Sequence, residues 1–316
     1  MRKKRIAKSL DYVFVLRPTL FYPVWTVYAA GYFAFHRFSP AGMNGSAEAI
    51  STGSLLMLLF LTLLMGSAFI LNQLCDVATD AHNHKLFLIA QRHITPHAAW
   101  MEMIVLLLTG MAGALLFDRF IGFLFGAIFV LTGLLYSVHP FQWKDHPLLG
   151  LISNSLGALM IFAAGWWSMQ TEFALAAQHA LPYMRAVAAV YLYTTLLDLD
   201  GDAHARKLTF GVKYGWKATT VTGAVLELMA VGAALAFRDP IIFYPALFSA
   251  PFFLLAAIRQ QRGDISRAIK LPILFLALAI CFHVWQYLIL LVAVFYASKW
   301  YYYHRFNMNY PSLQAD

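Results

Sequence analysis

Apolar residues in this chain neither alternate with polar ones nor mark one face of a helix. They come in runs long enough to fill whole helices. A helix that crosses a bilayer needs about 20 mostly apolar residues. Nine stretches meet that demand, at roughly 12–36, 54–75, 98–117, 120–138, 148–168, 181–197, 218–236, 240–258 and 270–298. Short polar breaks such as Asp118-Arg119 and Arg238-Asp239-Pro240 separate several of them, and the stretch from Gly42 to Ser54 reads as a loop. The pattern predicts an all-α membrane protein of about nine transmembrane helices, a single polytopic domain over 1–316 with a basic tail at 1–11.

Composition agrees. Of 316 residues, 61% are hydrophobic and 12% charged, against about 45–50% and about 25% in soluble domains. That excludes a disordered, collagen-like or disulfide-stapled secreted chain, and Cys75 and Cys281 both sit in apolar runs. The net charge of +8 lies in punctuation between runs rather than in a stripe, so nucleic acid is not the expected partner. Met1 to Lys8 is charged like the start of a signal peptide, but the run that follows is long enough to span, so it reads as a retained tail. With the N-terminus in the cytoplasm, 17 of the 23 Lys and Arg residues fall inside and 6 outside. An odd number of spans then places the C-terminus outside.

The acidic residues are few, and five of the 15 form two clusters at membrane boundaries. Asn72, Asp76 and Asp80 stand four apart and share a helix face; Asp198 and Asp202 repeat the spacing, with Asp200 between. Spans two and six run in the same direction, so both clusters end helices on the cytoplasmic side. Carboxylates at that spacing repel, and a helix C-terminus is itself partly negative. A cation should neutralise them, and oxygen-only ligands favour Mg²⁺ over zinc or copper. Magnesium keeps waters and binds substrate phosphates, which makes a diphosphate the simplest ligand for two such clusters. Lys85, Arg92, Lys144, Arg206, Lys207 and Lys213 in the adjoining loops supply positive charge for such an anion.

At these residues the chain resembles the UbiA-type intramembrane prenyltransferases. Asn72, Asp76 and Asp80 match the family's first motif, NxxxDxxxD; Asp198, Asp202, Thr209 and Gly215 match the second. Tyr136-Ser137, Pro140, Lys144 and Asn154 follow the family's pattern between the two, and Arg17-Pro18 fits span one. Thr195 stands in place of a leading aspartate, and Gln73 where many members have aspartate. The resemblance implies helices around a central cavity and Mg²⁺-dependent transfer of a polyprenyl group from its diphosphate to a hydrophobic acceptor, aromatic or lipid, through an allylic cation. Asp76, Asp80, Asp198 and Asp202 are then the catalytic metal-binding carboxylates, with Asn72 beside them. Asn72, Lys85, Arg92, Tyr136, Lys144, Asn154, Lys207 and Lys213 face the substrate. The expected partners are the prenyl diphosphate, the acceptor and membrane lipids, and the expected place is the cell's inner membrane with the site facing the cytoplasm.

A second class, a cation-coupled transporter with the clusters as ion sites, fits less well. Transport sites lie near mid-membrane on broken helices, whereas these clusters close helices beside basic loops. His93 and His97 have metal-pair spacing without a third ligand of the right kind. Asp200-Gly201 and Ala205-Arg206 are spaced wrongly for a CDP-alcohol phosphotransferase. Glu102 and Glu227 fall within spans three and seven and are candidates for a further role.

Overall fold

The computed structural model describes residues 2–41, 50–77, 87–167 and 172–311, and these form helices and connections with no strand among the described residues. The long helices are α1 (Phe21–Phe38), α2 (Thr52–Cys75), α3 (Pro96–Phe117), α4 (Arg119–Phe129), α5 (Pro147–Trp167), α6 (Phe173–Leu197), α7 (Phe210–Ala236), α8 (Pro240–Arg259), α9 (Arg262–His283) and α10 (Trp285–Phe306). A π-helical stretch, Val130–Leu135, continues α4. Six of them, α2, α3, α5, α7, α8 and α9, are long and apolar enough to cross a membrane. The chain is an integral membrane protein.

Helix ends follow local chemistry. Ser51 and Thr95 cap α2 and α3 by accepting from Ser54 N and Ala98 N. Asp118 does the same for α4 through Phe120 and Ile121, and Asp239 for α8 through Ile241. The first expected span starts later than read. Pro18 has no N–H, and Arg17 before it takes a left-handed conformation (φ 57°), so the long helix begins only at Phe21.

Helices α1, α5, α6, α7, α8 and α9 close a ring by successive packing, with α9 returning to α6 and α1. Helix α2 lies against α3 beside it. The α1–α5 crossing is made by glycine on both sides. A Cβ on Gly31 would lie 2.0 Å from Phe162 O, and one on Gly165 would lie 2.0 Å from Tyr28 O. In lipid, where apolar burial gives helices little reason to associate, such backbone approach is a main source of packing energy.

The stretch expected as one span at 270–298 is two helices. As one helix it would run about 43 Å, well beyond a hydrocarbon core of about 30 Å. The break comes at Val284, whose backbone is extended (φ −137°, ψ 91°). Helix α10 then runs antiparallel to α1 and the segment before it. Tyr287 meets Thr26 at 2.8 Å, and Tyr22 donates to Leu291 O at 3.0 Å. Tyr301 stacks on Phe14 with centroids 3.8 Å apart, and Arg305 pairs with buried Asp11 at 3.0 Å. The described chain therefore ends on the face where it begins, correcting the expectation that the termini lie on opposite sides.

Candidate active site

Three connections converge beside the C-terminal end of α2. Asn72, in the last turn of α2, donates to Ser137 Oγ at 3.1 Å. Asp76, which follows the helix, takes Lys144 Nζ at 2.5 Å on Oδ2 and Lys207 Nζ at 3.2 Å on Oδ1. Lys144 comes from a short 3₁₀ turn, Trp143–Asp145, entered through Gln142 in a left-handed conformation (φ 38°). Lys207 belongs to the connection after α6, which is tied to the α4–α5 connection by Leu208 N donating to Asp145 O at 3.1 Å.

The electrostatics follow from burial. Lys144 and Asp76 keep only 8% and 14% of their side-chain surface exposed. Burial draws the Lys207 ammonium down, but the carboxylates of Asp76, Asp145 and Asp202 outweigh it and hold its pKa above the ordinary lysine value. Burial pushes the Asp145 carboxyl up, with Lys207 and Lys144 offsetting part of the rise. The repulsion anticipated at a helix C-terminus is thus relieved at Asp76 by two lysines from other parts of the chain.

The second acidic motif begins where α6 ends. Asp198 caps α6 and opens the short helix Leu199–His204, and Asp202 N donates to Asp198 O at 2.9 Å, so the two carboxylates keep their i,i+4 spacing. Lys207 N donates to Asp202 O at 2.9 Å, which folds the lysine back toward Asp76. Asp200 turns away and pairs with Arg262, its side chain 75% exposed. Thr195 Oγ1 donates to Leu192 O at 2.6 Å and accepts from Gly211 N at 3.1 Å, so it ties α6 to α7. Gln73 is likewise structural, donating to Val15 O at 2.8 Å and Phe69 O at 3.1 Å.

The remaining candidates divide. Tyr136 bonds to Asn154 and to Tyr191, a chain of polar side chains leading inward. Lys213 is exposed and sits over the Tyr214 ring at 5.3 Å, apart from the lysine pair. Arg92 is exposed with a positive φ and makes no ion pair with Asp76 among the described residues. Asp80 and Lys85 lie outside the described residues. Among the described residues no group of three His, Cys, Asp or Glu side chains gathers as for a metal. His93 meets Arg305 at 3.1 Å. Asp145 and Tyr191 were missed in the sequence, and Ser137 was read only as part of the family's pattern. Asp145 directly follows Lys144, a signal that was there to be read; Tyr191 looks like one more aromatic in an apolar run.

Behind the polar end lies a cavity of about 290 Å³ inside the helix ring, reached at Asn154, Tyr191 and Thr194. Its wall is mostly aliphatic, with Pro23, Val187 and Leu276 among the lining residues. A buried lysine pair at one end and an apolar chamber behind it together suit a molecule with a charged head and a hydrocarbon tail.

Residues 24–270 match the profile of the UbiA prenyltransferase family. The chain belongs to that family. Among curated relatives, the 2-acylphloroglucinol 4-prenyltransferase of Humulus lupulus is 26% identical over 220 residues, covering 63% of this chain and 50% of the relative. The chain thus spans about half the length of the curated relatives it matches. A UbiA homolog from Archaeoglobus fulgidus, solved with GPP and Mg²⁺, superposes with a TM-score of 0.64 at 19% identity, over 86% of this chain and 98% of that one. An apo UbiA homolog from Aeropyrum pernix K1 gives 0.65 at 14% identity, over 84% and 97%. These likenesses establish a shared fold.

Proposed function

We propose that the chain transfers a prenyl group from its diphosphate to a hydrophobic acceptor in a Mg²⁺-dependent reaction at the face where α2 and α6 end. The observation that carries this reading is the convergence of Lys144 and Lys207 on Asp76. Two buried ammonium groups held by one carboxylate are set to receive a diphosphate, and they suit an anion better than a transported cation. The family description supports prenyl transfer. The Archaeoglobus fulgidus homolog was solved with GPP and Mg²⁺, and again with DMAPP and Mg²⁺. The Humulus lupulus relative is named for a 2-acylphloroglucinol acceptor, a hydroxylated aromatic ring.

The donor set fits the metal. Asn72, Asp76, Asp198 and Asp202 offer oxygen ligands only, and Asp80 completes the first motif, a set suited to a hard cation. When bound, Mg²⁺ supplies Lewis-acid stabilisation of the departing diphosphate. Lys144 and Lys207 stabilise the same charge from the protein side, in a setting that excludes much of the solvent. The aliphatic chamber shelters the allylic cation from water until an acceptor carbon or oxygen attacks. Tyr136, hydrogen-bonded to Asn154 and Tyr191 of the cavity wall, joins the two regions.

The membrane placement is part of this reading. With α10 returning to the starting face, Lys299 and Arg305 join the N-terminal side, and 19 of the 23 Lys and Arg residues then lie there. That supports a cytoplasmic N-terminus, a cytoplasmic C-terminus and a cytoplasmic site, in the cell's inner membrane. The test is release of diphosphate from a labelled prenyl diphosphate by purified protein with and without Mg²⁺, with lipid extracts supplying acceptors. Release only with Mg²⁺ and formation of a prenylated product are expected. No Mg²⁺-dependent release would overturn the reading.

A further inference from the structure

The chamber holds one acid that this chemistry does not use. Glu227 lies on α7, 12 residues beyond the break at Gly215 (φ 73°) and so about 18 Å further along the helix, and is fully buried. It lines the cavity, and neither of its carboxyl oxygens has a hydrogen-bond partner.

Each of the other polar side chains of the wall already has a hydrogen-bond partner, Tyr191 through Tyr136. Thr26 donates to Tyr22 O at 2.6 Å, Thr194 to Tyr191 O at 2.7 Å and Ser249 to Pro245 O at 2.7 Å. Tyr183 donates to Asp239 at 2.9 Å, and Asn154 to Gly150 O at 2.9 Å. The hydroxyl of neighbouring Tyr193 faces two backbone oxygens, Thr220 O at 2.9 Å and Phe253 O at 3.0 Å.

An unpaired buried acceptor is costly, and the wall offers Glu227 no donor. A prenyl tail brings none either. Resting on the prenyl-transfer reading, we propose that Glu227 is a binding residue for the acceptor, whose class is an apolar molecule carrying a phenolic or alcoholic hydroxyl. The hydroxyl donates to the carboxyl of Glu227 deep in the chamber, and the rest of the molecule extends toward Tyr191 and Asn154. The lysines stand at the other end, so Glu227 selects and orients the acceptor and takes no part in releasing diphosphate.

The test uses a matched pair of probes, 2-naphthol and 2-methoxynaphthalene, with the full chain in nanodiscs and binding read by tryptophan fluorescence. Wild type should prefer the naphthol by about tenfold or more, the worth of one hydrogen bond to a carboxyl. Glu227→Leu should bind both alike, and Glu227→Gln, which keeps one acceptor oxygen, should fall between. Glu227→Leu should melt no lower than wild type, since it removes an unpaired buried acid. A preference that is absent in wild type, or that persists in Glu227→Leu, overturns the inference. Diphosphate release in the same preparations tests the prenyl-transfer reading separately. If release fails while the naphthol preference behaves as stated, the hydroxyl site stands without the enzyme reading.

Discussion

Lys144 Nζ stands 2.5 Å from Asp76 Oδ2, although 68 residues separate the two in the chain. The pair joins the end of α2 to the α4–α5 connection and leaves Lys207 to hold the carboxylate's second oxygen. Replacing Lys144 with methionine should act in two ways. Donor KM should rise about tenfold to a hundredfold, the range for losing one charge-assisted hydrogen bond. Melting temperature without Mg²⁺ should also fall, because a buried carboxylate loses one of its two counter-charges. Donor titrations and thermal melts read both effects. An unchanged donor KM would make Lys144 an ordinary structural lysine.

If Asp76 and Asp202 serve one site, their losses should not add. Asp76→Ala and Asp202→Ala should each remove most activity, and the double variant should be little worse than either. Asp200→Ala should be mild, since Asp200 pairs with Arg262 at the surface. Asp76→Ala should lower stability without metal, as it strands Lys144 and Lys207. Steady-state rates and melting curves across the four variants decide the matter; wild-type rates in Asp76→Ala would sink the proposed chemistry.

The antiparallel course of α10 makes a topology prediction. A reporter fused after Phe306 should behave like one fused at the N-terminus, and a reporter placed in the 284 break should report the opposite side. Breaking the tie with Arg305→Leu should destabilise the protein by up to about 3 kcal/mol, because Asp11 stays buried without its counter-charge and keeps only the Tyr301 hydroxyl at 2.7 Å. Protease protection in oriented vesicles would contradict this course if the two ends proved to lie on opposite faces.

Thr195 occupies a position where relatives with the longer motif carry aspartate, yet its hydroxyl is committed to Leu192 O and Gly211 N. Thr195→Val should cost about 1 kcal/mol of stability and leave the Mg²⁺ dependence of turnover unchanged. A rise in the Mg²⁺ concentration needed for half activity would instead assign Thr195 to the metal site.

Much of this protein is legible in its sequence. Apolar runs of bilayer length leave the backbone no option but helices, since in lipid every N–H and C=O must be satisfied within the segment. Four-residue spacing sets Asn72 and Asp76 on one face, and again Asp198 and Asp202, because helical geometry is local. The candidates Lys144 and Lys207 were visible as basic loop residues beside those motifs. What no local rule decides is which of several loop cations reaches a given carboxylate. Lys207 arrives at Asp76 through the bond between Leu208 N and Asp145 O, while Lys213, six residues on, has entered α7 and faces outward. The run from 270 to 298 carries no proline or glycine after Pro272 to announce a break. The extended Val284 and the return of α10 to Asp11 come from contacts with Thr26, Tyr22 and Phe14, residues more than 250 positions away. Glu227 shows the same division: its place in an apolar run was plain, but that both of its oxygens lack a donor could be known only once six helices had closed around it.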